Sequence, residues 1–122
     1  MGTVRAFFVE QKFHLHLVSD STGETLNAMV GAALAQFENV EVQLHPYALV
    51  RSEHQLGRAL DHIATAPGLV FFTLASKTLN QRLVNRCAEL GIECIDVLER
   101  PLTVLGSFWD GRKAIRSAAS IR

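Results

Sequence analysis

The sequence predicts one α/β domain in which strands and helices alternate around a mainly parallel sheet. It has 122 residues, of which 48% are apolar, and this is enough for one hydrophobic core but not for a second full domain. Short apolar runs alternate with segments whose apolar residues recur every three or four positions, a pattern typical of parallel strands joined by right-handed crossover helices. The expected architecture is an open three-layer sandwich around four strands.

Four short apolar runs are the predicted strands. They are Phe13–Val18, Val40–Leu44, Gly68–Leu74 and Ile92–Leu98. The third run is apolar throughout, as expected of a central strand that is covered on both faces. Crossover connections between successive strands favour the order 2-1-3-4, which gives a flavodoxin-like or Rossmann-like sheet.

Helices are predicted between the strands from the three- and four-residue apolar spacing, the first over Glu24–Phe37. Polar residues just before the periodic segments are the expected N-terminal caps; they are the Ser21–Glu24 capping box, the Ser52–Gln55 capping box and Ser76. Gly91 follows the third helix, at a position where a left-handed residue commonly ends a helix.

The chain is divided into an N-terminal extension (residues 1–11), the α/β domain (12–106) and a basic tail rich in small residues (107–122). Twelve basic and twelve acidic residues give no net charge, so nucleic acid and membranes are not expected partners. The N-terminal apolar cluster is too short for a signal or membrane segment. We therefore expect a cytoplasmic protein.

Ligand binding is expected at the carboxyl ends of the strands, because loops and helix N-termini meet there in parallel sheets. The loop Ser19–Gly23 (SDSTG) carries hydroxyls, a carboxylate and a glycine directly before a helix, and it predicts an anion-binding site. Cationic or hydroxyl side chains follow strands two and three and would reach the same edge. The candidate anion- or substrate-binding residues are Ser19, Asp20, Ser21, Thr22, Gly23, Thr25, Arg51, Ser76 and Lys77.

Structural roles are the alternatives for these residues. Ser21 can serve only as a helix cap, and Asp20 can be solvated within its turn. Arg51 and Lys77 can be ordinary surface charges, which contribute little to stability or binding.

Metal binding is not expected. His14 and His16 share one face of the first strand, but no carboxylate or cysteine at ligand spacing accompanies them. The other histidines also lack partners; they are His45, His54 and His62. Cys87 and Cys94 lack the C-x-x-C spacing of zinc or redox sites, and we expect buried free thiols.

Two further segments contain residues that could form a site. Asp96, Glu99 and Arg100 follow the fourth strand, where a structural ion pair or an acid–base role is possible. The segment GSFWDGRK (106–113) lacks the G-K-[ST] ending of a phosphate loop, and its two aromatic residues would crowd a phosphate. It is therefore not interpreted as a phosphate loop.

The ordered set of segments resembles the N-terminal half of the bacterial and plastid regulatory proteins of phosphoenolpyruvate synthase and of pyruvate, phosphate dikinase. The set comprises FHLHLVSDSTGETLNAMVGAALAQF, VQLHPYALVRS, GLVFFTLASKTLNQRLVNRCAELGIECIDVL and RPLTVLG, over roughly Lys12–Gly106. Its most specific piece is the strand-to-helix junction Ser19–Thr25 (SDSTGET). From Ser107 onward the sequence shows no match to the family pattern.

The resemblance implies a bifunctional serine/threonine kinase and phosphorylase. Such a protein uses ADP to phosphorylate a threonine of its target, and inorganic phosphate to remove that group with release of pyrophosphate. The implied target is phosphoenolpyruvate synthase or pyruvate, phosphate dikinase. Because the family carries its phosphate loop in a C-terminal half, we expect no catalysis and no cofactor in these residues alone, but contacts with the target or a homodimer partner.

Two other functional classes are alternatives. A stand-alone module would hold a small anion or a partner through the same loop, without catalysis. A receiver-like signalling domain would use Asp20 as a phosphoacceptor, but the sequence lacks the further acidic cluster that such a domain needs at strand one.

Overall fold

The computed structural model describes residues 12–109, and these form four strands and four helices in alternation. The strands are β1 (Phe13–Ser19), β2 (Val42–Tyr47), β3 (Leu69–Thr73) and β4 (Cys94–Asp96). The helices are α1 (Glu24–Leu34), α2 (Glu53–Thr65), α3 (Lys77–Leu90) and α4 (Glu99–Phe108). Within this range no helix has the length and apolar character needed to cross a membrane. The predicted extension 1–11 and residues 110–122 of the predicted tail lie outside the described residues.

The four strands form one parallel sheet in the order β2-β1-β3-β4, which confirms the predicted fold class and strand order. β1 has a partner on each side: His16 is aligned with His45 of β2 and with Val70 of β3. Ser19 is aligned with Thr73, so the carboxyl ends of β1 and β3 lie side by side. The loops that follow these two strands are therefore neighbours.

Each face of the sheet has its own apolar core. On one face Leu15 and Leu17 of β1 pack with Leu26 and Val30 of α1. The opposite face carries the larger core, in which α2 and α3 cover the sheet; its fully buried members include Val18, Leu56, Ile63, Phe72 and Leu83. Burying one such side chain stabilises the fold by about 1.5–3 kcal/mol. Helices on both faces complete the predicted three-layer sandwich.

The boundaries of α1 and β2 differ from the predicted ones. α1 ends at Leu34 rather than Phe37, and Phe37 is 66% exposed. Asn39 has a left-handed φ of 62°, which redirects the chain before β2 begins at Val42. β2 continues through Pro46 because it is an edge strand, where a missing amide donor on the outer side costs nothing.

Helix α4 was not predicted. Its residue Pro101 is the third of the helix, where the amide would have no intrahelical partner and proline is tolerated. Leu102, Leu105 and Phe108 recur at helical spacing within it, although none of its residues is buried. The predicted domain boundary at Gly106 falls inside this helix.

Three of the predicted helix ends are confirmed. The Ser52 hydroxyl accepts the Gln55 amide proton at 3.1 Å, and the Gln55 side chain accepts the Arg51 amide proton at 2.8 Å. Ser76 caps α3 by accepting an amide proton of its first turn. Gly91 ends α3 with a left-handed φ of 70°.

Both cysteines are free thiols, as predicted, but only Cys87 is buried while Cys94 is half-buried. Burial, with Cys94 nearby, raises the pKa of Cys87 to about 12. This raised pKa favours the protonated form of the Cys87 thiol at neutral pH.

The prediction that His45 and His62 lack partners is wrong. A His14 Nδ1 to His45 Nε2 contact of 2.9 Å joins β1 to β2, and the Tyr47 hydroxyl lies 2.5 Å from His62 Nδ1. The strand register and the packing of α2 bring these residues together. Neither the register nor the packing can be predicted from the spacing of the histidines in the sequence. Burial is the main reason why the pKa values of His16 and His45 are lowered.

Substitution of Gly68 tests the close approach of the start of β3 to β1. A Cβ at this position would lie 1.9 Å from the His14 backbone oxygen, so Gly68→Ala must displace one of the two strands. We expect it to lower the free energy of unfolding by about 3 kcal/mol or more, the upper end of overpacking effects. Urea unfolding followed by circular dichroism measures this change.

Gly31→Ala is the matched control, because a Cβ at this exposed position in α1 meets no atom within 4 Å. Alanine is a better helix former, so we expect a gain of about 0.5–1 kcal/mol. Equal stability of Gly68→Ala and the wild type would contradict the described β1–β3 packing.

Candidate functional site

The buried hydroxyl of Ser19 organises the loop that follows β1. Ser19 is only 2% exposed, and its Oγ accepts the Ser21 amide proton at 3.0 Å. Thr73 Oγ1 donates to the same oxygen at 3.3 Å, and Ser21 Oγ lies 3.3 Å from it. Ser19 therefore has a structural role inside the predicted anion site, whereas the Ser21 and Thr22 side chains are exposed at its surface.

The predicted Ser21–Glu24 capping box is wrong. Gly23 occupies the N-cap of α1 with a φ of 86°, and no side chain caps this helix. A helix capped by Ser21 would include Gly23 in its first turn, but the left-handed φ of Gly23 is incompatible with helical geometry. The first amides of α1 therefore have no side-chain acceptor, and they face the same loop as the exposed hydroxyls.

Backbone hydrogen bonds join the β2–α2 loop to the β1–α1 loop. The amides of Leu49 and Val50 donate to the carbonyls of Ser21 and Ser19, each at 2.9 Å. Leu49 has a left-handed φ of 58°, a conformation that a non-glycine residue adopts only under constraint. Arg51 then donates from Nε to the Asp20 backbone carbonyl at 2.8 Å, so its guanidinium lies at the SDSTG loop as predicted.

The β3–α3 loop is joined to the same place through Asp20. The Asp20 amide donates to the Thr73 carbonyl at 3.2 Å, and its carboxylate Oδ2 accepts the Ala75 amide proton at 2.8 Å. Ser76 and Lys77, the next residues along the chain, are thereby placed near the loop. The Ser76 hydroxyl is used as the α3 cap, while Lys77 is exposed and makes no ion pair within residues 12–109.

The structure thus sorts the predicted residues into two groups. Ser19, Asp20, Gly23 and Ser76 shape and connect the loops. The residues whose side chains are exposed at the edge are Ser21, Thr22, Thr25, Arg51 and Lys77. Exposed hydroxyls, two cations and uncapped amides around one loop are suited to binding an anion.

Two polar residues of this edge, Thr73 and Asn80, were not predicted as site residues. Thr73 contacts Ser19, and Asn80 donates from Nδ2 to Asp96 Oδ2 at 3.0 Å and to the Leu74 carbonyl at 3.3 Å. The Asp96 carboxylate also accepts the Leu98 amide proton, so it is held by amides rather than by the predicted ion pair. The position of Thr73 at the end of β3 could have indicated a site residue. Asn80 lies within α3, and its place in the sequence does not indicate one.

A separate groove of about 540 Å³ lies between α2 and α3. Its lining includes Asp61, Gln81 and Arg82, and Arg82 forms a 2.8 Å ion pair with the Glu53 carboxylate. It contains none of the predicted site residues. The groove is an open surface lined by side chains of both charges.

The fold and this edge together define an open parallel α/β domain whose candidate site is an anion-binding set of loops at the strand ends. A family model described as kinase/pyrophosphorylase matches residues 15–120. The chain therefore belongs to the kinase/pyrophosphorylase family. The matched range continues beyond Gly106, where the resemblance drawn from the sequence stopped.

The chain is similar to several proteins named pyruvate, phosphate dikinase regulatory protein. It is 43% identical to the one from Maricaulis maris over 107 residues, which cover 88% of this chain and 38% of the relative. Over 107 residues it is 45% identical to the Caulobacter vibrioides protein, covering 88% of this chain and 34% of the relative. It is 50% identical to the Hyphomonas neptunium protein over 93 residues, or 76% of this chain and 33% of the relative. The chain thus spans about a third of the length of these relatives.

Substitution of Gly23 tests whether its left-handed backbone conformation stabilises the loop before α1. Its φ of 86° is readily adopted by glycine and is strained for alanine, although a Cβ would meet only the Ser19 Cβ at 3.8 Å. We expect Gly23→Ala to lower the free energy of unfolding by about 1–2 kcal/mol, the cost of a left-handed residue with a side chain. Chemical denaturation measures this loss.

Gly23→Asn is the matched control, because asparagine tolerates the left-handed region better than alanine does. We expect it to recover part of the stability lost in Gly23→Ala. If the two variants were equally stable, backbone conformation would not be the constraint at this position.

Proposed function

We propose that this chain is the target-recognition and phosphate-binding portion of a regulatory kinase and pyrophosphorylase that acts on pyruvate, phosphate dikinase. Family membership supports the kinase/pyrophosphorylase class, and the names of the relatives support this target. The whole protein would phosphorylate a threonine of the dikinase with ADP and remove that phosphate with inorganic phosphate. Such a regulator would act in the cytoplasm with its target.

The observation that carries the proposal is the convergence of three loops on Asp20. Its carbonyl accepts from Arg51, its amide donates to Thr73 and its carboxylate accepts from Ala75. These bonds fix the relative positions of the loops that carry the exposed residues Arg51, Lys77 and Ser21. A dianionic phosphate or a phosphorylated hydroxyl would be stabilised by such an arrangement.

These residues alone are proposed to bind without transferring phosphate. Phosphoryl transfer depends on charge stabilisation around the transferred group and usually on a phosphate loop or bound metal ions. The printed sequence has no G-x-x-x-x-G-K-[ST] segment. The edge would supply one wall of a cleft, and the target would contribute the threonine loop.

Calorimetric titration of the 122-residue chain with inorganic phosphate and with ADP tests the anion site. We expect saturable phosphate binding that weakens about tenfold or more in Arg51→Ala, because a hydrogen bond to a charged group contributes about 1.5–3 kcal/mol. Ser21→Ala and Thr22→Ala test the exposed hydroxyls. Arg58→Ala, which removes an exposed cation from α2, is the matched control and should bind as the wild type does.

Target recognition is tested separately by biolayer interferometry with immobilised chain and soluble pyruvate, phosphate dikinase. Saturable binding, reduced in Arg51→Ala and unchanged in Arg58→Ala, is the expected result. Phosphoenolpyruvate synthase in place of the dikinase tests the choice of target. Binding of neither phosphate nor dikinase would overturn the proposal.

A further inference from the structure

A cluster of imidazoles lies on the sheet face covered by α2, at the middle of β1 and before the strand end that carries the SDSTG loop. His16 of β1 is aligned with His45 of β2, and their rings stack with centroids 4.6 Å apart. His62 reaches the pair from the last turns of α2, with its centroid 5.3 Å from that of His45. One ring nitrogen from each of the three lies within 4.8 Å of the others.

The tautomer of His16 follows from its hydrogen bonds. Its Nε2 lies 2.7 Å from the Ala66 backbone carbonyl, which can only accept, so Nε2 carries the proton. In the neutral ring, Nδ1 then carries a lone pair and accepts from the Tyr47 hydroxyl at 2.9 Å. His16 is fully buried, so this arrangement is held by packing as well as by hydrogen bonds.

The same chain of hydrogen bonds sets the tautomer of His62. Because the Tyr47 hydroxyl proton points to His16, the hydroxyl oxygen accepts from His62 Nδ1 at 2.5 Å. His62 Nε2 is then the nitrogen with the lone pair. His62 is exposed and His45 half-buried, so one side of the cluster is open to solvent.

We propose that His16, His45 and His62 form a binding site for a divalent transition metal ion of the Zn²⁺ class, with a fourth position open to water. Imidazole nitrogens are preferred ligands of such ions, and three histidines with one open position are a known zinc ligand set. A ligating histidine usually donates its other N–H to a carbonyl or carboxylate, and His16 already donates to Ala66 in this way. The proposal is independent of the function proposed for the loop edge.

Metal binding requires only local side-chain movement. Nitrogens around a tetrahedral Zn²⁺, with bonds of about 2.0–2.1 Å, lie about 3.4 Å apart. Rotation of the exposed His62 ring and of the His45 ring would close the difference from 4.8 Å, and His45 would leave both its stack on His16 and its 2.9 Å contact with His14. The Tyr47 hydroxyl would leave His16 Nδ1, so tyrosine and metal compete for the same lone pair.

The ion would connect three separate segments of the fold, namely β1, β2 and the end of α2. Binding to the folded state only stabilises that state in proportion to ligand concentration. Free Zn²⁺ at 100 times its Kd would therefore raise Tm by about 10 °C or more in a domain of this size. This stabilisation is a readout that does not depend on catalytic activity.

The test is calorimetric titration of the EDTA-treated 122-residue chain with ZnCl₂, together with thermal unfolding. We expect one ion per chain, with binding weakened about 100-fold or more in His62→Ala, since loss of an outer-shell partner alone costs about 10–100-fold. His54→Ala removes another exposed histidine of α2 and should bind as the wild type does. Tyr47→Phe removes the competing hydroxyl and should bind Zn²⁺ at least as tightly.

Co²⁺ as a spectroscopic probe separates this site from the thiols of Cys87 and Cys94. Imidazole ligation gives visible d–d bands without the strong near-ultraviolet charge-transfer band of a thiolate. A thiolate band, absence of binding, or equal affinity in His62→Ala and wild type would overturn the proposal. Loss of binding in His54→Ala as well as His62→Ala would also overturn it.

Discussion

The pairing of β1 along both of its edges is the constraint on which the other elements depend. β2 and β3 are both aligned with it, and α1 and α2 cover its two faces. Residues of β1 therefore alternate between two cores, with Leu15 and Leu17 on one face and His16 and Val18 on the other. This packing fixes the position of the strand. One polar cluster follows its carboxyl end, and the histidine cluster lies at its middle residue, His16.

The parts of the fold that the sequence predicted correctly are those that depend on the local pattern of apolar and capping residues. Alternation of β-rich runs with three- and four-residue apolar spacing led to the parallel sheet and its order, because few topologies satisfy short right-handed crossovers. The Ser52 and Ser76 caps followed from the same local rules. Helix α4 was not predicted, although Leu102, Leu105 and Phe108 recur at helical spacing; Pro101 lies in its first turn, where proline is tolerated, and does not end regular structure.

The sequence predicted that the SDSTG loop and the loops after strands two and three share one edge of the sheet, but not how their residues contact one another. Convergence of the SDSTG loop with Arg51 and Lys77 follows from parallel topology alone. The role of Ser21 depends instead on one backbone angle, the left-handed φ of Gly23, which starts α1 later than a Ser21 cap requires. The histidine cluster was missed for a different reason: positions 16, 45 and 62 have no motif spacing, and only strand register and helix packing bring them together.

The charges at the loop edge support the proposed anion site rather than the alternative of solvated surface charges. Lys77 occupies the first residue of α3, where a cation is disfavoured by the positive end of the helix dipole. Arg51 lies at the same edge, and Glu24 in the first turn of α1 is the acidic residue that partly offsets these charges. The Asp20 carboxylate already accepts from the Ala75 amide. An anion bound between Arg51 and Lys77 would complete this balance, since it would neutralise both cations and accept from the uncapped amides of α1.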